Sequence, residues 1–412
     1  MFLIADFADL IANSWTKMRG PLKDICQFIR DSREEVLHFR RDFHANPELG
    51  LAEHRTGKIV ADYLSECGLE VCRLNSTGVV GLLRGEGKGP TLLMRADMDA
   101  LPIQEENETI YSSTVDGVMH ACGHDAHTAM LMVAAKYLSR RKSELNGNIK
   151  FVFEPNEENI GALGMIEEGV LDNPKVDACV GLHVWSPLES GKIGVKAGPV
   201  MAGMQHFKIT ITGKGGHTAT PQSAIDPVLV SAAVIQAVQT IQTRELDALH
   251  EPTVIMFGSI AGGSAANIIP DSVTMEGTIR YLYDGDDNGE NSPLSRFRRI
   301  VKGVCETYRA DHELEFPYGH PTVVNDPSFS SFFTSRVAGK MLPELEVEPL
   351  VTLAGEDFSE FASRVPGLFY FLGAGKPGVE IFPHHHPRFD IDESILEVGV
   401  ELHIRTALEY LE

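Results

Sequence analysis

Between residues 22 and 45 the apolar side chains Ile25, Phe28, Ile29, Val36, Phe39 and Phe43 recur at helical spacing, which predicts one amphipathic helix. Asn46-Pro47 ends it, because a residue before proline is turned away from the helical region. HRTGKIVADYLSEC, at 54–67, predicts a second helix, stopped by Gly68. GVVGLLRG at 78–85 and PTLLMRADMDA at 90–100 read as strands. They are followed by a helix at about 126–142, a strand at 149–153, a helix near 161–170 and a strand at 177–184. Strands alternating with helices predict an α/β domain with a mostly parallel central sheet, and such sheets collect ligands at the carboxyl ends of their strands.

Near residue 200 the rhythm changes. HFKITITGKG alternates as a half-buried strand, DPVLVSAAVIQAVQTIQTRE is a long helix, and EPTVIMFGSIAGG and DSVTMEGTIRYL are two more strands. SPLSRFRRIVKGVCETYRA gives a further helix and ELEFPYG a closing strand. The order β-α-β-β-α-β predicts a small two-layer α+β domain inserted into the larger one. The expected organisation is an N-terminal extension at 1–20, a main domain at 21–199 and 320–412 ending in a helix at 393–411, and an insert at 200–319. The polar stretch DGDDNGEN at 284–291 reads as a surface loop of the insert.

Composition narrows the class. Hydrophobic residues make up 43% of the 412, enough for ordinary cores of two domains. Net charge is 36 − 58 = −22, which excludes a nucleic-acid binder, since that requires a basic footprint. The opening MFLIADFADLIANSW is apolar but broken by Asp6 and Asp9, with no basic segment before it. It reads as an amphipathic helix rather than a signal peptide, and no apolar run reaches membrane-spanning length. Six scattered cysteines without a CxxC read as free thiols in a reducing, cytoplasmic setting.

Four islands combine metal-ligand residue types with strand ends or loops. Met119-His120-Ala121-Cys122-Gly123-His124-Asp125-Ala126-His127 offers three histidines and a cysteine in eight residues, borderline donors suited to zinc, manganese, cobalt or nickel. Spacing alone does not say which of the four bind. Phe153-Glu154-Pro155-Asn156-Glu157-Glu158 places two adjacent carboxylates after a buried strand, where one can bind metal while the other moves a proton. His183 ends an apolar strand. Pro383-His384-His385-His386-Pro387 sets three histidines in a proline-bounded loop. Each of the last two alone has a bland reading, as a core histidine and a scavenging surface loop; four islands on one α/β domain point to a metal site.

From about residue 33 to the C-terminus the chain resembles the dinuclear-metal amidohydrolases that include aminoacylases, hippurate hydrolases and plant auxin-conjugate hydrolases. The motifs are RRDFHANPELG, RADMDALPIQE, MHACGHDAHTAML, FEPNEENIGALGMIEEGVL, GLHVWSPLESGKI, GKGGHTATP, GSIAGGSAANIIPD, GTIR, AGEDFS and HHPRFDIDE. The resemblance implies a metallopeptidase catalytic domain with an inserted lid and dimerisation domain, and two divalent metal ions per subunit. It implies Cys122, His124, Glu158, His183 and His385 as ligands, Glu157 as general base, and Asp97 as a carboxylate behind the ligands. It further implies His217 as stabiliser of the tetrahedral intermediate, supplied from the other subunit in dimeric relatives, and Asn267 and Arg280 as holders of the substrate carboxylate. The reaction implied is hydrolysis of an N-acyl amino acid, a small-molecule substrate, to a carboxylic acid and a free amino acid, by a homodimer paired through the insert. The alternatives are a carboxypeptidase or dipeptidase of the same chemistry, and a non-catalytic metal-binding scaffold, which has no need of Glu157. Two departures bear on the substrate pocket: Pro221-Gln222 where relatives commonly have Pro-His, and Phe-Glu-Pro-Asn-Glu-Glu where many have Phe-Gln-Pro-Ala-Glu-Glu.

Overall fold

The computed structural model describes residues 21–283, 289, 292–341 and 345–412. The expected N-terminal extension, and all of the 284–291 stretch but Gly289, lie outside the described residues. The chain divides into two compact units. The first comprises the chain up to Ala197 with Asn325–Leu350 and Glu360–Glu412; the second comprises Gly198–Val324 and Val351–Ser359.

The first unit is built on an eight-stranded sheet. Its strand order is Glu70–Leu74, Gly78–Arg84, Asn148–Glu154, Thr91–Asp97, Ala178–Glu189, Gly367–Gly375, Lys192–Gly194 and Glu346–Glu348. The middle of the sheet is parallel: Thr91–Asp97 pairs in parallel with both Asn148–Glu154 and Ala178–Glu189, and Ala178–Glu189 with Gly367–Gly375. Every residue of Thr91–Asp97 and of Gly367–Gly375 is buried, as expected of parallel strands covered on both faces. The covering helices include His124–Ser139 and Ile395–Tyr410, themselves almost wholly buried. Gly399 lets those two helices approach closely, since a Cβ there would lie 2.0 Å from Met130 Sδ.

Three sequence expectations need correction. The single helix expected over 22–45 is two, Pro21–Asp31 and Arg33–Ala45, broken at Ser32, whose side chain makes no capping bond. The helix expected to begin at 126 begins at His124, so His124 and Asp125 occupy its first turn instead of a loop. The strand Gly367–Gly375 was not foreseen. GLFYFLGAG has neither the two-residue alternation of a half-buried strand nor helical spacing, because both its faces are covered.

The second unit holds an antiparallel sheet in the order Thr253–Gly262, Ser272–Tyr281, Gly203–Thr212, Asp311–Glu315, with Gly319–His320 also paired to Gly203–Thr212. Burial alternates residue by residue along Ser272–Tyr281, which puts one face on a core. Helices Pro227–Thr240 and Pro293–Tyr308 bring Val234, Val238, Phe297 and Val301 to that core, beside Phe207 and Ile279. Each starts with a proline at its first position and a capping oxygen before it, Asp226 accepting from Val228 N–H and Ser292 from Ser295 N–H. Thr253–Gly262 forms an edge of the sheet and exposes Met256 and Ile260. Among the described residues no helix is long and apolar enough to cross a membrane.

Candidate metal centre and active site

The candidate residues of the first unit gather at the carboxyl ends of its parallel strands. Thr91–Asp97 ends on Asp97, in register with Glu154 at the end of Asn148–Glu154. Arg95 binds both carboxylates, Nε donating to Glu154 and Nη1 to Asp97, each at 2.6 Å. Without that guanidinium two buried carboxylates could not lie side by side. After Glu154 the chain turns through Asn156, in the left-handed region at φ 60°, into a short 3-10 turn Glu157–Asn159. Asn156 N–H donates to Glu53 Oε1 at 2.9 Å, which holds the turn from behind. Gly123, at φ 95°, starts the helix that carries His124; a Cβ there would meet Val184 Cγ2 at 2.3 Å, so glycine is required twice over.

Five side chains converge in two triads. Cys122, His124 and His183 bring their ligand atoms within 4.8 Å of one another, and so do Cys122, Glu158 and His385. The Cys122 sulfur belongs to both. It lies 3.5 Å from His183 Nε2, and His385 Nε2 lies 3.0 Å from Glu158 Oε1. Glu157 stands beside them, with Oε2 3.9 Å from His124 Nε2.

Ring tautomers show which nitrogens face the cluster. His124 Nδ1 donates to Asp99, whose carbonyl oxygen is at 2.9 Å and Oδ1 at 3.1 Å, and this turns Nε2 inward. That Nε2 is buried and has no hydrogen-bond partner. His183 Nδ1 donates to Val184 O at 2.6 Å, leaving Nε2 on the Cys122 side. His127 differs: Nδ1 donates to Asp97 at 2.6 Å and Nε2 accepts from Val184 N–H at 2.8 Å. Both its nitrogens are committed, so its cluster with Asp97 and His124 is not a ligand set, although the three donor atoms lie close together.

The three consecutive histidines also separate. His384 Nε2 donates to Val184 O at 3.0 Å and its ring stacks on Trp185. His386 Nδ1 accepts from Arg388 N–H at 3.0 Å. Only His385 turns to the cluster, from a left-handed backbone (φ 65°) tied by its N–H to Ala121 O at 2.8 Å.

Sequence reasoning missed Asp99. Besides orienting His124, its Oδ2 accepts the backbone N–H of Glu158 at 3.1 Å, so one carboxylate positions residues of both triads. Asp97 contacts His127 and Arg95, and its Oδ2 remains 3.8 Å from His124 Nε2. The signal for Asp99 was present in RADMDA, two residues beyond the strand end, but a buried aspartate and a surface one look alike in a single sequence.

The electrostatics favour a cation. Hydrogen bonds that the ring makes to Cys122 and Glu158 raise His385 to about 10. Burial opposes charge on His124, yet Asp97 and Cys122 hold it well above its ordinary value. Burial raises the Cys122 thiol, and Glu158 adds to this. A thiol, three imidazoles and a carboxylate that draw positive charge inward, with an unpaired buried nitrogen among them, fit divalent metal.

His217, Asn267 and Arg280 lie in the second unit. Gly216–His217 pairs with Ile268–Ile269, so the GGH and NIIP motifs run side by side, and Thr218 N–H donates to Asn267 O at 3.3 Å. Arg280 stands at the opposite end of Ser272–Tyr281 from that pair. Its Nη1 donates to Leu353 O at 3.0 Å. Among the described residues no carboxylate pairs with it, and burial lowers its pKa.

Comparison with known proteins agrees with this picture. The model of peptidase family M20/M25/M40 matches residues 93–409. Thermostable carboxypeptidase 2 of Saccharolobus solfataricus is 38% identical over 93% of this chain and 97% of its own. An N-acyl-L-amino acid amidohydrolase of Geobacillus stearothermophilus is 41% identical over 74% of this chain and 81% of its own. The crystal structure of the Bacillus subtilis YXEP protein, described as a dinuclear metal binding peptidase, superimposes with a TM-score of 0.78 at 34% identity, covering 93% of this chain and 99% of that one. With a match that spans most of its length and relatives this similar end to end, the chain belongs to the M20/M25/M40 peptidase family and is a hydrolase of amide bonds.

Proposed function

We propose that this enzyme hydrolyses N-acyl amino acids at the amide bond, releasing a carboxylic acid and a free amino acid, with acetyl, benzoyl and similar acyl groups as the substrate class. The observation that carries the reading is the pair of triads sharing Cys122 with Glu157 at their edge. Cys122, His124 and His183 would hold one divalent ion and Cys122, Glu158 and His385 a second, drawn from zinc, manganese, cobalt or nickel. When bound, such ions polarise the amide carbonyl and make a water acidic near neutral pH. Glu157 takes the proton from that water as oxygen attacks the carbonyl carbon. His217 donates to the oxygen that gains charge. Glu157 then returns the proton to the amide nitrogen as the carbon–nitrogen bond breaks. Arg280, half-buried and without a carboxylate partner among the described residues of a chain of net charge −22, holds the substrate carboxylate, with Asn267 as a further polar contact.

We also infer a homodimer through the second unit. Asn267 and the His217 paired beside it stand at one end of Ser272–Tyr281 and Arg280 at the other, roughly 25 Å apart at about 3.3 Å per residue. One small substrate does not span that distance, so His217 and Asn267 of one subunit meet the same substrate as Arg280 of the other. The edge strand Thr253–Gly262, with Met256 60% and Ile260 56% exposed, offers the surface for pairing. All six cysteines are free, in keeping with a reducing, cytoplasmic location.

A carboxypeptidase or dipeptidase reading has the similarity to the archaeal carboxypeptidase in its favour. Both activities use the same metals, Glu157 and a terminal carboxylate. The test is a panel of acetyl-, benzoyl- and indoleacetyl-amino acids beside unblocked dipeptides and longer peptides, with each metal added separately. Preference for unblocked peptides would overturn the acyl-amino-acid reading.

A further inference from the structure

Arg280 and His320 lie on one face of the second unit's sheet, close to one another. Both pair with Met204 on the central strand Gly203–Thr212, one from each side. Residues in one row across a sheet project to the same face. Gly355 comes down between them: a Cβ there would lie 2.6 Å from His320 Nε2 and 3.5 Å from Arg280 Nη1. The bare glycine backbone therefore lies against both side chains at a point where any larger residue would cover them.

His320 has a fixed chemical character. It is buried, 7% exposed, and its Nδ1 lies 3.1 Å from Pro321 O. A carbonyl oxygen only accepts, so the ring proton is on Nδ1 and Nε2 carries a lone pair. Burial, with Arg280 adding to it, pushes the pKa to about 4, so the ring is neutral at physiological pH. A carboxylate docked on Arg280 brings only acceptors, and an acceptor facing Nε2 is repelled. The arrangement is satisfied by a ligand that carries an N–H next to its carboxylate. An N-acyl α-amino acid has one, because its amide nitrogen and its carboxylate are bonded to the same carbon.

We propose that His320 is a specificity-determining residue: its Nε2 accepts the amide N–H of a substrate whose carboxylate is held by Arg280. The enzyme therefore selects secondary amides and discriminates against N-alkylated amides such as acylated prolines. The inference rests on the role given to Arg280 above.

The experiment compares N-acetylalanine with N-acetyl-N-methylalanine as competing ligands of the metal-loaded enzyme. Wild type should prefer the N–H ligand by roughly tenfold, the scale of one hydrogen bond left unmade. In His320→Leu that preference should shrink to within twofold, while His320→Gln, which keeps an acceptor, should retain most of it. A preference that survives in His320→Leu, or equal weakening of both ligands, overturns the proposal, since a packing role is blind to the hydrogen on nitrogen. Thermal melting of both variants checks that they fold, and the Gln variant carries the test if Leu does not. Arg280→Met separates this inference from the reading beneath it. Loss of both ligands by a hundredfold supports the carboxylate anchor, and His320 then stands or falls on its own variants. Undiminished binding of both overturns the anchor, and the inference with it.

Discussion

Ala219 donates its backbone N–H to Nδ1 of His217 at 3.0 Å. Nδ1 is thereby an acceptor, and the neutral ring carries its proton on Nε2, ready to donate to an oxygen that gains charge. His217→Ala should lower kcat by about 10²–10³ with KM changed only a few-fold, read by steady-state kinetics. Mixing His217→Ala with Glu157→Gln chains under subunit exchange should restore activity, because one site in the heterodimer keeps both groups. A mixture that stays inactive, with a monomer by light scattering, would rule out sharing.

The doubly used sulfur of Cys122 gives a graded expectation for metal content. Cys122→Ala should lose both ions, whereas His183→Ala and His385→Ala should each lose one, measured by elemental analysis. Chelation of wild type should abolish activity and added divalent metal restore it. Full metal content in Cys122→Ala would contradict the shared ligand.

Glu157 and Glu158 are adjacent, and the proposed mechanism gives them different tasks. Glu157→Gln should keep both ions and lose roughly 10²–10⁴ in kcat. Glu158→Gln should lose metal. The reverse pattern would exchange their roles.

Asp99 orients His124 and fixes the backbone of Glu158. Asp99→Asn should weaken metal affinity about 10–100-fold, measured by competition with a chelator, without unfolding the protein. Unchanged affinity would mean that the His124 ring is held by packing alone.

His44 provides a pH test. Its Nδ1 lies 2.7 Å from Asp125 Oδ2 and its Nε2 3.2 Å from Glu105 Oε1, so both nitrogens need a proton. Burial and Arg40 oppose that charge, but the two carboxylates outweigh them and raise the pKa above its ordinary value. A raised histidine contributes stability that is complete below the unfolded value of about 6.5 and is lost as pH rises through the folded value. Wild-type Tm should therefore fall with rising pH above neutrality by a component missing in His44→Gln. Parallel pH profiles for the two proteins would show that His44 is uncharged.

The sheet class was legible because it depends on local pattern, alternation and helical spacing, and the residue types of the candidate metal site stood out because donors cluster after apolar runs. What was not legible depends on contacts distant in sequence. No spacing separates His127 from His124; the difference is made by Val184 N–H, 57 residues away. Asp99 gains its task only when residues 124 and 158 fold onto it. Gly367–Gly375 hides its nature because both its faces are covered, one of them by the later helix Ile395–Tyr410.

That strand has a consequence for synthesis. Gly367–Gly375 lies between Ala178–Glu189 and Lys192–Gly194 in the sheet. While the ribosome is still translating the first 360 residues, the hydrogen-bonding side of Ala178–Glu189 that it will cover has no mate, and His385 has not been made. A nascent or truncated chain thus presents a sticky strand and a candidate metal site short of one donor, features a chaperone or protease can read. The strand that fills this place in the sheet and His385 follow one another closely in the chain, so a copy that lacks them is distinguishable from one that has them.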